Sequence, residues 1–264
     1  MKQKIYQIDA FASGPFKGNP AAVCVMDSWL PDNIMQSIAE ENNLAETAFT
    51  VFENGKYTLR WFTPETEVDL CGHATLATAY VIFNYYKNKE TTIRFYSPRS
   101  GELLVKNEGD GLISLNFPTD QIEQVPAENV INDAIGQIPL ETYKGKTDYM
   151  LVYGSQKEIE DLNPNFFLLD KVDCRGVIAT APGNEVDFVS RFFAPKCGIP
   201  EDPVTGSAHT TMTPYWFKAL GKNKLTAKQL SQRGGDLECE YMGERVKISG
   251  RAVPYLVGEI SIEV

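Results

Sequence analysis

Asp69–Phe83 reads DLCGHATLATAYVIF, and this stretch decides the fold. Leu76, Ala77, Ala79, Tyr80, Val81, Ile82, Phe83, Tyr85 and Tyr86 are spaced so that they cover every face of a helix. A helix that is apolar all round is buried on all sides. His73, one of only two histidines in 264 residues, stands beside Gly72 at the start of that helix. Glu201–Phe217, EDPVTGSAHTTMTPYWF, repeats the pattern: an acid, a glycine, a small polar residue and an apolar run, with the other histidine, His209, close by.

Strand-like stretches surround these helices, among them KIYQIDAF, AAVCVM, TAFTVF, YTLRWFT, TIRFYS, LISLNF, YMLVYG, RGVIATA, DFVSRFFAP, RVKISGRAV and LVGEISIEV. Many alternate apolar and polar residues, as half-buried strands do. The helices predicted are few: about Pro31–Asn42, Gly72–Lys87 and Gly206–Leu220, a short one near Ala127–Ile135, and another in TAKQLSQRGG (226–235). Pro214 is expected to kink the Gly206 helix or to end its first turns. Many strands and few helices fit a sheet curled round a central helix better than helices layered on an open sheet. The fold class is therefore α+β.

The two helix starts belong to a longer echo. Arg60-Trp-Phe-Thr-Pro64 is matched by Arg191-Phe-Phe-Ala-Pro195, 131 residues later (60 to 191). Gly72 and Ala74 are matched by Gly206 and Ala208, 134 residues later (72 to 206). In each copy a strand ends in aromatics and a proline, a loop carries an acid, and a glycine opens an apolar helix. This predicts two related halves, residues 1–118 and 119–264, with the last strand free to return to the first half. The boundary falls near Phe117–Asp120.

Composition narrows the function. Hydrophobic residues make up 43% of the chain, enough for a substantial core, and the formal charge is −10. That balance argues against nucleic acid as a partner, because phosphate binding needs clustered Lys and Arg. No uncharged apolar run approaches the roughly 18–20 residues of a membrane span, and MKQKIYQIDAF lacks the pattern of a secretory signal. The five cysteines, Cys24, Cys71, Cys174, Cys197 and Cys239, are odd in number, scattered and without C-x-x-C. A cytoplasmic protein without disulfides or a zinc site is the expectation, and two histidines give no basis for a His-rich metal site.

The first turn of a helix leaves N–H groups without partners and gathers partial positive charge. Glycine lets a ligand approach the backbone. Gly72-His73 and Gly206-Ser207 are thus two anion-receiving ends, suited to one carboxylate held across a cleft. The plainer alternative is capping, with Asp69 or Ser207 satisfying orphan amides. Glu46, in NNLAETAFTVF, is flanked by Ala45 and an apolar strand, where partial burial equips a carboxyl for general acid/base work; a solvent-facing strand edge is the alternative. Asp202 either starts a turn before Pro203 or orients a proton-carrying group. His73 is either a hydrogen-bonded core histidine or, at an amide-rich helix start that favours its neutral form, a proton donor or shuttle. Cys71 and Cys197 invite comparison with two-thiol racemases. They are not mates in the repeat, however, since Thr205 holds the position that matches Cys71, and a two-thiol mechanism is disfavoured.

DAFASGPFKGNPAAV (Asp9–Val23), AETAF (Ala45–Phe49), LRWFTPETEVDLCGHATLATA (Leu59–Ala79), RFFAPKCGIPEDPVTGSAH (Arg191–His209) and ISGRAVPYLVGEISI (Ile248–Ile262) occur in order along nearly the whole chain. Together they resemble the PhzF-like phenazine biosynthesis isomerase family, within the diaminopimelate epimerase-like superfamily. The resemblance implies two similar domains, each a curled mixed sheet, barrel-like, around a central helix, with the site in the cleft between them. It also implies no metal and no organic cofactor, a small carboxylate substrate such as a cyclic amino acid, and isomerisation by movement of a proton between carbons. The family's catalytic roles fall on Glu46, His73, Asp202 and Ser207, and its substrate-holding amides on Gly72, His73, Gly206 and Ser207. Asn19, in KGNP, matches the family's loop and reads mainly as structural. Diaminopimelate epimerase places paired thiols just before the two helix starts; here only Cys71 is present, and it reads as a packed thiol. A racemase or epimerase using Cys71 with another base, and a carboxylate-binding protein without chemistry, are the rival functions. A homodimer is compatible with the resemblance.

Overall fold

The computed structural model describes residues 1–86 and 90–262. In chain order the elements are β1 (Lys2–Ala10), β2 (Asn19–Met26), α1 (Asp32–Asn42), β3 (Glu46–Glu53), β4 (Lys56–Phe62), β5 (Glu67–Val68), α2 (Gly72–Tyr85), β6 (Thr92–Ser97), β7 (Gly101–Gly109) and β8 (Leu112–Pro118). There follow β9 (Glu123–Gln124), α3 (Asn129–Ile135), β10 (Glu141–Lys144), β11 (Asp148–Val152), α4 (Gln156–Asp161), α5 (Phe166–Leu169), β12 (Gly176–Pro182) and β13 (Phe188–Phe193). After a 3-10 turn at Pro195–Cys197 come α6 (Gly206–Leu220), β14 (Lys224–Gln229), β15 (Gly235–Tyr241) and β16 (Arg245–Ser261).

Two compact units contain these elements: Met1–Asn116 with the chain from Ser249 onward, and Phe117–Ile248. In the first unit β16 pairs with β1, the order runs β1-β2-β3-β4-β6-β7-β8, and β8 neighbours β16 in turn, so eight strands close into a barrel. The sheet is mixed, because β2 and β3 are parallel, as are β4 and β6, while the other registers are antiparallel. The apolar helix α2 lies against β1, β2 and β3. Its residues Ala74, Leu76, Ala77, Ala79, Val81 and Ile82 are fully enclosed, as its all-round apolar surface requires. A second cluster packs Met35, Ile38 and Ala39 of α1 against Cys24, Phe49 and Phe62.

The second unit repeats this plan with the order β9-β10-β11-β12-β13-β14-β15, followed by the start of β16. Its parallel pairs, β11 with β12 and β13 with β14, stand where β2–β3 and β4–β6 stand in the first unit. The sequence echo thus marks equivalent places, the ends of β4 and β13, each followed by a crossover helix. The matched arginines also do the same job. Arg60 grips Glu67 with Nε and Nη2 at 2.7 and 2.9 Å, and Arg191 grips Glu201 with the same atoms at 2.7 and 2.9 Å. Each guanidinium lies over the second aromatic of its motif, Phe62 at 5.1 Å and Phe193 at 4.9 Å. Bidentate pairs of this kind fix orientation as well as distance, so each tethers the acidic loop that leads into its helix.

One expectation about local structure is corrected, and of the two outcomes expected at Pro214 one is excluded. TAKQLSQRGG is not a helix: its first four residues complete β14, where Leu225, Ala227 and Gln229 are buried and the residues between them exposed, a period of two. Pro214 does not end α6, which runs on to Leu220. The carbonyl of Thr210, four residues before the proline and so deprived of its helical donor, accepts from the Asp120 backbone N–H at 3.4 Å. The first-unit helix ends at Tyr85; Lys87, the predicted end, lies outside the described residues. Among the described residues no helix is long and apolar enough to cross a membrane.

Candidate active site

Three element starts in the first unit deliver side chains to one place. Gly18 has φ +70°, and a Cβ there would meet the Ala10 carbonyl oxygen at 2.2 Å, so the turn into β2 admits only glycine. That turn sets Asn19, the first residue of β2, wholly inside the unit. Glu46 opens β3, the parallel neighbour of β2. Cys71 caps α2 in an extended conformation without a side-chain capping bond, and His73 is the second residue of the helix. The capping alternative for Asp69 therefore fails; its carboxylate accepts from Arg99 Nη1 at 3.1 Å.

His73 is the hub of this cluster. Its Nε2 lies 3.1 Å from Glu46 Oε2, with side chains only 6% and 14% exposed. Its Nδ1 lies 3.2 Å from Asn19 Nδ2 and 3.4 Å from Cys71 Sγ. Neither Glu46 Oε2 nor His73 Nε2 completes a well-directed hydrogen bond, although both atoms are buried. Leaving such groups unsatisfied costs about 1–3 kcal/mol each, and native structures keep few of them without a reason.

Burial, together with the nearby Glu46 carboxylate, pushes the Cys71 thiol up to about 11, outweighing His73. It is therefore a neutral S–H near pH 7. For the His73 imidazole, burial is the largest influence and pulls downward, while the charges of Cys71 and Glu46 pull it well above the ordinary histidine value. With Cys71 neutral near pH 7 the pull of a thiolate charge is missing, and burial, which favours the uncharged ring, is opposed by Glu46 alone. Glu46, Cys71 and His73 also form a group with metal-ligating atoms within 4.8 Å of one another. The ring meets the carboxylate with Nε2 and the thiol with Nδ1. A single ion would use one nitrogen and break the contact at the other, so the arrangement suits proton handling better than metal ligation.

In the second unit the α6 start is built from groups far apart in sequence. Thr205 caps the helix without a side-chain capping bond and Gly206 follows it. Asp202 Oδ2 accepts from Thr205 Oγ1 at 2.5 Å. The buried Gln229 accepts from the Thr205 N–H at 2.9 Å and donates to the Asp202 carbonyl at 2.8 Å. Ser207, partly exposed, is no cap: its Oγ accepts from Arg175 Nη2 at 3.0 Å, and Arg175 is itself held by a buried carboxylate, with Nε donating to Asp148 Oδ1 at 2.9 Å. His209 is fully enclosed, its Nδ1 2.8 Å from the Thr205 carbonyl, and burial lowers it to about 4.

The structure thus brings Glu46 and His73 together in one unit, beside Gly72, and sets Asp202, Gly206 and Ser207 around the α6 start in the other. Sequence reasoning missed Arg175, Asp148 and Gln229. None carries a local signal, because each reaches the helix start from a neighbouring strand or from the turn before one. For Asn19 it missed the contact with the histidine.

Comparison with known proteins places this architecture. The family model described as phenazine biosynthesis-like protein matches residues 8–258, and the chain belongs to that family. It is an enzyme of the isomerase type. A protein of Pseudomonas aeruginosa described as an uncharacterized isomerase is 50% identical over 262 residues, covering 99% of this chain and all of that one. The crystal structure of a phenazine biosynthesis protein of the PhzF family from Enterococcus faecalis is 49% identical, with a TM-score of 0.96 over 99% of this chain and all of that one. A hydroxyproline epimerase from Agrobacterium vitis, with bound trans-4-hydroxy-L-proline, shares the fold at 8% identity and a TM-score of 0.62, over 98% of this chain and 92% of that one.

Proposed function

We propose that this isomerase moves a proton between carbons of a small carboxylate-bearing substrate, a cyclic amino acid among them, with Glu46 as the group that takes the proton and returns it. The observation that carries this reading is the buried pair of Glu46 Oε2 and His73 Nε2, 3.1 Å apart and each without a well-directed hydrogen-bond partner. A carboxylate that accepts a proton from carbon and gives it back needs a nearby polar group to follow the change in charge, and His73 is that group. No metal or organic cofactor takes part in the proposed proton transfer.

The uncapped first turns of α2 and α6 support the assignment of the Gly72-His73 and Gly206-Ser207 amides to the substrate carboxylate. Asp202 and Ser207 serve the same substrate as positioning or proton-relaying groups. A mechanism built on Cys71 is not favoured, since a thiol pushed up to about 11 supplies little thiolate at neutral pH.

The test is proton exchange. Small amino and hydroxy acids are incubated with the protein in heavy water and followed by NMR. Once an exchanging acid is found, Glu46→Gln should slow its exchange by about 10²-fold or more while binding persists. Undiminished exchange in Glu46→Gln would remove Glu46 from the mechanism. Exchange at a single stereocentre that is abolished by thiol alkylation would instead favour the racemase.

A further inference from the structure

We propose that Asn19 is a positioning residue that donates Nδ2–H to His73 Nδ1 and so holds the imidazole as the Nε2–H tautomer, its proton on the side of the ring that faces Glu46. This rests on the reading of Glu46 and His73 as the proton-handling pair.

A neutral imidazole carries one proton, and the partner of one ring nitrogen decides which nitrogen bears it. Asn19 and His73 are both buried, so no solvent competes for the ring. Among the described residues three groups face it: Asn19 Nδ2 at 3.2 Å and Cys71 Sγ at 3.4 Å on Nδ1, and Glu46 Oε2 at 3.1 Å on Nε2. An amide NH₂ only donates, so Nδ1 must present its lone pair and the proton resides on Nε2. The Cys71 thiol, a neutral S–H, donates weakly toward the same lone pair and favours the same tautomer. Turning the amide over would put Asn19 Oδ1 on an Nδ1–H and leave the Nε2 lone pair against the Glu46 oxygen, two acceptors at 3.1 Å. An imidazolium would set Nδ1–H against the amide N–H, two donors at 3.2 Å.

His209 provides an internal control. Its Nδ1 lies 2.8 Å from the Thr205 carbonyl, which can only accept, so there the proton is on Nδ1. The two imidazoles of this chain therefore carry their protons on opposite nitrogens. For His73 the consequence is directional. A proton on Nε2 stands ready to pass toward the carboxylate side, and a lone pair there would oppose the carboxylate instead. Asn19 touches no reacting atom in this account; it acts through the ring.

The experiment is a long-range ¹H–¹⁵N correlation spectrum of the full chain labelled with ¹⁵N-histidine near pH 7, with His209→Gln used to assign the two sets of signals. The wild type should show His73 with an unprotonated Nδ1 and a protonated Nε2, and His209 with the reverse. Asn19→Asp replaces the donor by an isosteric acceptor and should place a proton on His73 Nδ1 while the one on Nε2 stays opposite Glu46, leaving the His209 signals in place. It should lower the exchange rate in heavy water by about 10²-fold or more, as loss of the correct tautomer does at other catalytic histidines, with substrate affinity retained. An Nδ1–H tautomer or an imidazolium at His73 in the wild type would overturn the proposal, as would an unchanged tautomer in Asn19→Asp. If Asn19→Asp does not fold, the wild-type spectrum still decides. Exchange undiminished in Glu46→Gln, with the expected tautomer observed, would overturn the proposed function and leave the role of Asn19 standing.

Discussion

The enclosed histidine of α6 makes a pH prediction whose size follows from its surroundings. His209 is wholly buried, with the Phe188 ring 5.9 Å away and its Nδ1 against the Thr205 carbonyl. Burial lowers its pKa to about 4, with the Thr205 bond opposing the shift. In the unfolded chain the group returns to about 6.5. Between those values the unfolded chain binds the proton and the folded chain does not, so stability is full above about pH 6.5 and drains away as the pH falls toward 4. A difference of about 2.5 units corresponds to roughly 3 kcal/mol in all, of which about 2 kcal/mol is lost by pH 5. His209→Gln removes the titrating group and keeps a donor. Urea unfolding between pH 8 and pH 5, followed by tryptophan fluorescence in a Trp29→Phe, Trp61→Phe background, isolates Trp216, whose ring stacks on Phe188 at 5.7 Å, and so reads the second unit. The wild type should lose about 2 kcal/mol more than His209→Gln over that range. Identical pH slopes in the two proteins would refute the reasoning, whatever the variant's stability at pH 8.

Arg175→Met should leave Asp148, 2% exposed, as a buried carboxylate without its partner, at a cost of about 3 kcal/mol in chemical denaturation; it should also release Ser207. A destabilisation under about 1 kcal/mol would mean that the pair contributes little. Iodoacetamide at pH 7.5 should modify the exposed Cys197 in the native chain and spare Cys71, Cys24 and Cys239, which are enclosed and pushed up to about 11, about 12 and about 12, as peptide mass spectrometry would show. Cys71→Ala should keep proton exchange within about tenfold of wild type, because a general-base contribution is worth about 10² or more; a larger loss would return the thiol to the mechanism.

The local pattern was enough for the two helices that matter most. An uncharged run apolar on every face must be enclosed, which foretold the burial of α2, and the repeated Arg-aromatic-Phe-x-Pro segments fall at the ends of β4 and β13. That each arginine would clasp the glutamate before its helix was not legible, because one motif does not say which of several nearby acids it meets. TAKQLSQRGG misled because its propensities suit a helix, whereas Lys224–Gln229 is held by pairing with β15 and by burial of every second residue.

What the sequence determined by itself is therefore local and periodic: buried helices opened by glycines, alternating strands around them, the residue types His73, Asp202 and Ser207 near the helix starts, and Glu46 at the head of an apolar strand. Which groups these residues face was decided only by tertiary structure. Arg175 meets Asp148 because β11 and β12 run parallel with Asp148 beside Gly176. Asn19 meets His73 because a left-handed glycine turns β2 inward at the open end of α2. Hydrogen bonds and burial depend on distances of a few ångströms between residues tens of positions apart, and those distances exist only once the sheets have curled.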